Sequence, residues 1–67
     1  MKVKKVMKAH VKAIKAYNQL EDAMNKVVPV IEEGNEKKLN KHFRRIESKA
    51  LALADAVGIA IMETDEN

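Results

Sequence analysis

Two rows of apolar positions with a helical period dominate the sequence. The first row runs from Val3 to Ile31 in alternating steps of four and three residues and is broken only at Glu21. The second runs from Leu39 to Ile61 with the same steps, except for the last. Such steps are typical of amphipathic helices, whereas a strand alternates every second residue. The pattern predicts an all-α fold in which the two rows face each other.

The turn between the two helices is predicted from a short polar stretch. Gly34 suits the left-handed conformation that follows a helix end, and Asn35 is a favourable N-cap for the next helix. Pro29 lacks the N–H of a helical hydrogen bond, so we expect a kink close to it. The similar helix lengths favour a single antiparallel two-helix hairpin. The predicted segments are a first helix over 2–32, a turn over 33–35, a second helix over 36–62 and an acidic tail over 63–67.

One hairpin cannot enclose the apolar part of the second helix. Between Ala50 and Met62 only Asp55 is charged, and apolar side chains point in every direction around the helix. We therefore predict a homo-oligomer, at least a dimeric four-helix bundle. Small residues of this interface are expected on a different face from Leu53. The predicted interface residues are Leu51, Ala52, Ala56, Ile59, Ala60 and Met62.

Charge is unevenly distributed along the 67 residues. The net charge is +3, but residues 1–20 contain six lysines and no acid, so the remainder is acidic. The basic end can attract a phosphate-bearing partner, or its lysines can neutralise the tail acids Glu63, Asp65 and Glu66 when the chain ends meet in a hairpin. No apolar run reaches the ~20 residues that span a bilayer, so we expect a cytoplasmic protein with no membrane partner.

The sequence offers few residues for catalysis or metal binding. It has no cysteine, a single serine and only two histidines, His10 and His42, neither of which has a second ligand at a suitable spacing. We therefore predict no enzymatic activity, no metal site and no cofactor. His10 is expected in the core or an interface, and His42 at the solvent edge.

Two groups of polar residues are candidates for ligand binding. Tyr17 and Glu21 interrupt the apolar row of the first helix, where they either reach the solvent rim or contact a polar ligand at a subunit interface. The second group is either a solvated helix face or an anion site, because Arg and Lys side chains bind phosphate. It is a stripe on the second helix formed by Lys37, Lys41, Arg44 and Ser48, with Arg45 beside it.

Two stretches of the chain resemble a known family. They are Tyr17-Asn18-Gln19-Leu20 with Met24-Asn25-Lys26, and Arg45-Ile46 followed by Leu-Ala-Leu-Ala-Asp-Ala-Val. They resemble the helical-hairpin domain of phage anti-CBASS proteins, small oligomers that sequester cyclic oligonucleotide signals. The resemblance implies a nucleotide held between subunits, with tyrosine on a base and Lys or Arg on phosphate, in a phage protein acting inside a bacterial host. At the level of fold alone, the hairpin is also similar to the plasmid repressor-of-primer bundle.

Three functions are therefore considered. The leading hypothesis is a non-enzymatic oligomer that binds an anionic ligand, with a cyclic nucleotide as the first candidate. The second is an adaptor or inhibitor whose apolar second helix binds a protein partner. The third is an RNA- or DNA-binding four-helix bundle, which would show steeply salt-dependent affinity.

Overall fold

The computed structural model describes residues 2–65, which form two α-helices. Helix α1 spans Val3–Glu33 and helix α2 spans Glu36–Asp65. They pack along their whole length as an antiparallel hairpin whose Cα atoms extend over 51 × 13 × 9 Å. The all-α hairpin predicted from the sequence is confirmed. Neither helix contains a stretch long and apolar enough to cross a membrane.

The turn is held by backbone and side-chain hydrogen bonds. Gly34 adopts a left-handed conformation with φ 75°, and its N–H donates to the carbonyls of Val30 and Ile31 at 3.2 and 3.1 Å. Asn35 then caps α2, because its Oδ1 accepts from the N–H of Lys38 at 3.1 Å. These bonds satisfy backbone groups that a helix end leaves without partners.

The helix ends differ slightly from the predicted ones. Helix α1 continues through Pro29 as one helix to Glu33, because residues on both sides of the proline pack against α2. Helix α2 runs to Asp65 rather than residue 62, and the Thr64 hydroxyl donates to the Ile61 carbonyl at 2.8 Å. The first part of the acidic tail is therefore helical. Its last residues, Glu66 and Asn67, lie outside the described residues.

The helices contact each other through two inner rows with alternating steps of three and four residues. Within residues 2–65, every buried or half-buried residue belongs to these rows, with Gly58 as the one exception. In α1 the inner row is Val6, Ala9, Ala13, Ala16, Leu20, Ala23, Val27 and Val30. In α2 it is Leu39, His42, Ile46, Lys49, Leu53, Ala56, Ala60 and Glu63.

The inner row of α1 is not the row that the sequence analysis selects. The predicted row from Val3 to Ile31 lies outside the helix contact, where Tyr17 is 54% exposed and Met24 is 53% exposed. The prediction is wrong because it follows the largest side chains, whereas four of the eight inner residues of α1 are alanines. Small side chains let two helix backbones approach closely, so they suit the contact inside the hairpin.

The predicted row of α2 lies partly in the inner row and partly on the exposed surface. Leu39, Ile46 and Leu53 lie in the inner row, whereas Phe43 and Val57 are exposed. One inter-helix hydrogen bond shows the register, since Lys49 Nζ donates to Gln19 Oε1 at 3.3 Å. Each inner residue of α1 thereby lies level with one of α2, from Val6 with Glu63 to Val30 with Leu39.

The core of a single hairpin is small. Only Ala9, Ala23, Val27 and Val30 are buried among residues 2–65, and α2 contributes none. A compact monomer of 7.5 kDa exposes roughly 4,200 Å², whereas this chain exposes 5506 Å². A single copy thus leaves much of its apolar surface in contact with water.

Candidate assembly and ligand-binding surfaces

One side of the hairpin is an apolar face that both helices build. Apart from Val3 at the start of α1, it consists of the residues that directly follow inner-row positions, one step or about 100° farther around each helix. Because the helices are antiparallel, these positions of α1 and α2 lie on the same side of the hairpin. In α1 the apolar face is Val3, Met7, His10, Ile14, Tyr17, Glu21, Met24, Val28 and Ile31. In α2 it is Asn40, Phe43, Glu47, Ala50, Ala54, Val57, Ile61 and Thr64.

The apolar face is both exposed and free of positive charge. Its large apolar side chains, from Val57 at 41% to Val3 at 67%, are partly in solvent. None of the 13 Lys and Arg residues of the chain occupies one of its positions, and its acids are Glu21 and Glu47. A contiguous exposed surface of this kind marks a site of association.

The opposite side is a basic face, formed by the residues that directly precede inner-row positions. It carries eight Lys or Arg residues against two acids. In α1 the basic face is Lys5, Lys8, Lys12, Lys15, Gln19, Asp22, Lys26 and Pro29. In α2 it is Lys38, Lys41, Arg45, Ser48, Ala52, Asp55, Ile59 and Met62.

Two shallow grooves on the basic face meet at Arg45. The first has a volume of about 270 Å³ and is lined by Gln19, Asp22, Ala23, Lys26, Arg45 and Lys49. The second, of about 180 Å³, is lined by Lys38, Lys41, His42 and Arg45. Each groove therefore has three Lys or Arg residues in its lining, and Arg45 belongs to both.

The acids near these grooves are engaged with particular lysines. Lys26 Nζ lies 3.0 Å from the Asp22 carboxylate, and Lys38 Nζ lies 3.3 Å from that of Glu33. These two ion pairs among residues 2–65 do not include Arg45. Exposed pairs of this type contribute little to stability, so the lysines can exchange their carboxylate for another anion.

A third groove lies near the chain ends. It is about 290 Å³ in volume and is lined by Lys5, Lys8, Ala9, Lys12, Ile59 and Glu63. Glu63 is half-buried between the helices and lies level with Val6. The basic start of the chain and the beginning of the acidic tail thus line the same groove, as the hairpin arrangement implies.

The structure distributes the predicted ligand-binding residues over three surfaces. Tyr17 and Glu21 lie on the apolar face. Lys41, Arg45 and Ser48 lie on the basic face, whereas Lys37 and Arg44 are on the outer edge of α2, where Arg44 Nε donates to Asn40 Oδ1 at 3.0 Å. A single chain therefore does not bring the tyrosine together with the predicted cations.

The predicted interface residues of α2 also separate. Ala56 and Ala60 lie in the inner row together with Leu53, so the small-residue row expected on a different face shares the face of that leucine. The other four, Leu51, Ala52, Ile59 and Met62, are exposed, with Met62 at 71%. They form a second apolar patch on the basic side and outer edge of α2.

The expectation for His42 is wrong, whereas His10 lies outside the contact between the two helices, so that an interface is the part of its expectation that stays a prediction. His42, expected at the solvent edge, is half-buried in the inner row level with Val27. His10 is exposed on the apolar face between Met7 and Ile14. Within residues 2–65, no cluster of three or more His, Asp or Glu side chains is arranged to hold a metal ion.

Comparison with known proteins leaves the family open. The sequence matches no known protein family, and it is similar to no curated protein and to no solved structure. The function of the chain must therefore be argued from its two faces.

The sequence analysis does not identify two of the lysines that lie near Arg45. Lys26 and Lys49 line a groove with Arg45, although they are distant from one another in the sequence. The stripe identified on the second helix could not include a residue of the first helix. The row of alanines spaced at three and four residues is the signal that would have placed Lys26 beside Arg45, because it defines the inner side of α1.

Proposed function

We propose that the protein is a non-enzymatic homo-oligomer that binds a phosphate-bearing ligand on its basic face. The observation that carries this proposal is the separation of charge across a thin hairpin. One face has no Lys or Arg, whereas the other has eight. The first face is suited to association with another apolar surface, and the second to anions.

Self-assembly is supported by the size of the uncovered surface. The Cα extents of 51 and 13 Å give the hairpin face a plan area of roughly 650 Å², near the ~800 Å² that each partner contributes to a standard protein interface. Association through the apolar face also keeps the two basic faces apart on the outside of the assembly. Association through the basic faces would instead oppose like charges.

Anion binding is supported by the residues around Arg45. Its guanidinium can donate two parallel hydrogen bonds to a phosphate, and the neighbouring Lys41 adds a mobile positive charge. Ser48, one turn along the same face, adds a hydroxyl. A cyclic nucleotide is the ligand we propose, since two closely spaced phosphates match a local cluster of cations and the resemblance to phage anti-CBASS proteins points to the same class.

The test is a titration of a fluorescent cyclic dinucleotide, followed by fluorescence anisotropy at low and physiological salt. Arg45→Ala and Lys41→Ala are each expected to weaken binding about tenfold, because charge-assisted hydrogen bonds contribute roughly 1.5–3 kcal/mol. The matched control is Lys4→Ala, which removes the same charge near the other end of the hairpin, roughly 35 Å from Lys41 along the helices, and is expected to change affinity less than about twofold.

Two results would contradict this ligand assignment. Equal losses in the Lys4 and Lys41 variants would show that net charge, rather than the cluster around Arg45, attracts the anion. Binding of a 20-base RNA or DNA with a steep salt dependence, without binding of the cyclic dinucleotide, would identify a nucleic-acid-binding protein instead.

The second apolar patch favours one further candidate function. Leu51 is 67% exposed and Met62 is 71% exposed, and neither belongs to the apolar face. A protein partner that covers this patch would make the chain an adaptor or inhibitor. In that case Leu51→Asp would abolish capture of the partner while leaving self-assembly intact.

A further inference from the structure

We infer that two copies of the chain pair through their apolar faces with the two α1 helices directly opposed and antiparallel. The two-fold axis then runs across the helices and passes level with the point between Lys15 and Ala16. The turns of the two hairpins lie at opposite ends of the resulting four-helix bundle. This inference rests on the self-assembly proposed above and specifies the partner and its register.

The apolar face of α1 is self-complementary about this point. Reading outward in both directions, Ile14 corresponds to Tyr17, His10 to Glu21, Met7 to Met24 and Val3 to Val28. Each pair therefore joins residues of matching chemistry, either two apolar side chains or an imidazole with a carboxylate. An antiparallel two-fold pairing of α1 with itself brings these residues into contact.

The pairing also satisfies the geometry of packed helices. The row consists of two columns, because its steps alternate between three and four residues. Met7, Ile14, Glu21 and Val28 form one column, and Val3, His10, Tyr17 and Met24 form the other. Every proposed pair takes one residue from each column, as layers in an antiparallel left-handed bundle require.

Charge distinguishes this arrangement from its main alternative. In the proposed dimer, His10 lies beside Glu21 of the partner subunit, with Glu47 of the partner subunit on the next helix at nearly the same level. Ile61 is the neighbour of His10 on α2 of its own chain. An imidazole that can donate a hydrogen bond thus faces carboxylates at both ends of the interface.

The alternative is a dimer with both turns at the same end. Its α1 would lie over α2 of the partner subunit at an unchanged level. Glu21 would then face Glu47 of the partner subunit, because the two residues are almost level in the hairpin. Two opposed carboxylates in an apolar interface are unfavourable, so the observed distribution of acids selects the antiparallel pairing.

The contact between the α2 helices of the two copies is compatible with the same dimer. Near the two-fold axis, α2 presents Ala54, with Ala50 and Val57 at equal distances on either side, so that Ala50 meets the larger Val57 of the partner subunit. Small side chains at this level let the second helices of the two copies approach while the larger residues of α1 interdigitate. Phe43 and Ile61 then lie toward opposite ends of α2 and close the apolar layer.

Disulfide cross-linking tests the register, since the natural chain contains no cysteine. In the double variant His10→Cys/Glu21→Cys, residue 10 meets residue 21 of the partner, and mild oxidation is expected to convert most of the protein to a covalent dimer. Within one chain the two positions are about 16 Å apart along α1, far beyond disulfide reach. Dimeric bands on a non-reducing gel therefore report contact between chains.

Three controls use the same face. His10→Cys and Glu21→Cys alone are expected to remain largely uncross-linked, because each position is about 16 Å from its own copy in the partner. His10→Cys/Val28→Cys places both cysteines on the apolar face in the wrong register, and it too is expected to give little dimer. Equal cross-linking of this variant and the His10/Glu21 variant would overturn the inference.

A charge exchange provides a second test without oxidation. His10→Glu and Glu21→Lys alone are each expected to raise the dimer dissociation constant about tenfold. The first opposes two carboxylates across the interface, and the second removes the carboxylate that faces His10 and leaves a lysine on an apolar surface. The combined variant is expected to recover most of the loss, since residue 10 would again face an opposite charge at residue 21. Absence of any recovery would contradict the proposed contact.

Sedimentation equilibrium of the natural chain separates the two levels of failure. A dimer that shows neither selective cross-linking nor charge recovery would refute the register while leaving self-assembly standing. A folded monomer would refute both.

Discussion

The two apolar rows of α1 have the same period but opposite roles. The inner row, from Val6 to Val30, is half alanine and contains all the buried residues found among residues 2–65. The row one residue farther along carries methionine, isoleucine and tyrosine, yet these side chains remain about half exposed. The smaller residues are therefore used inside the hairpin, and the larger residues are left exposed in a single chain.

The difference follows from how closely each pair of helices can approach. A tight turn holds α1 and α2 together, so their contact needs few large side chains and benefits from a short distance between backbones. An interface between separate copies has no such tether and must overcome the entropy of association. Large apolar side chains provide that free energy, at roughly 25 cal/mol per Å² of apolar surface removed from water.

The largest predicted effect is from a charge on the apolar face of α1. Ile14→Asp is expected to raise the dimer dissociation constant at least 100-fold, because it places a carboxylate beside the partner's Tyr17 at the centre of the interface. Sedimentation equilibrium measures this constant. Leu51→Asp introduces the same charge on the other apolar patch and is expected to leave association unchanged.

The opposite result for these two variants would show that a different surface mediates association. If Leu51→Asp dissociates the assembly and Ile14→Asp does not, the oligomer forms through the exposed part of α2. The apolar face of α1 would then be available to a different partner.

An intermediate effect is expected from overpacking the inner row. Ala23, which is 5% exposed, lies in the contact with α2, and Ala23→Leu should lower the free energy of unfolding by about 1–3 kcal/mol. Urea denaturation at a fixed protein concentration measures the change. Ala52→Leu adds the same atoms on the exposed basic face and should change stability by less than about 0.5 kcal/mol.

The smallest effects are expected at the two glycines. Both lie outside the apolar face, so their substitution changes the stability of the hairpin rather than its association. Gly34→Ala should cost about 1 kcal/mol, because φ at this turn residue is +75°. Gly58→Ala should stabilise the chain by about 0.5–1 kcal/mol, since this glycine is inside α2 and no atom lies within 4 Å of an added Cβ. Thermal denaturation measures both. If Gly34→Ala stabilised the chain instead, the turn conformation would be wrong.

Much of the fold could be predicted from local sequence features. The period of apolar residues indicates both helices, and Gly34 and Asn35 indicate the turn between them. The inner side of α1 could not be chosen in the same way, because hydrophobicity ranks Met24 or Ile14 above Ala23. The choice depends on backbone distance, which is a property of the helix pair rather than of either helix.

The candidate site was predictable only in part for a related reason. Arg45 and Lys41 are conspicuous on one helix, and the sequence identifies them as possible anion ligands. Lys26 joins them only through the register of the hairpin. Tyr17 does not join them in a single chain, because it lies on the opposite side of the hairpin.

The proposed dimer requires that a second copy of the chain covers the cation-free apolar face. Sedimentation equilibrium between about 1 and 100 μM, with helicity followed by circular dichroism, tests it most directly. We expect a species of about 15 kDa, twice the 7.5 kDa chain mass, whose helicity falls as it dissociates on dilution. A fully helical species of 7.5 kDa throughout this range would contradict it.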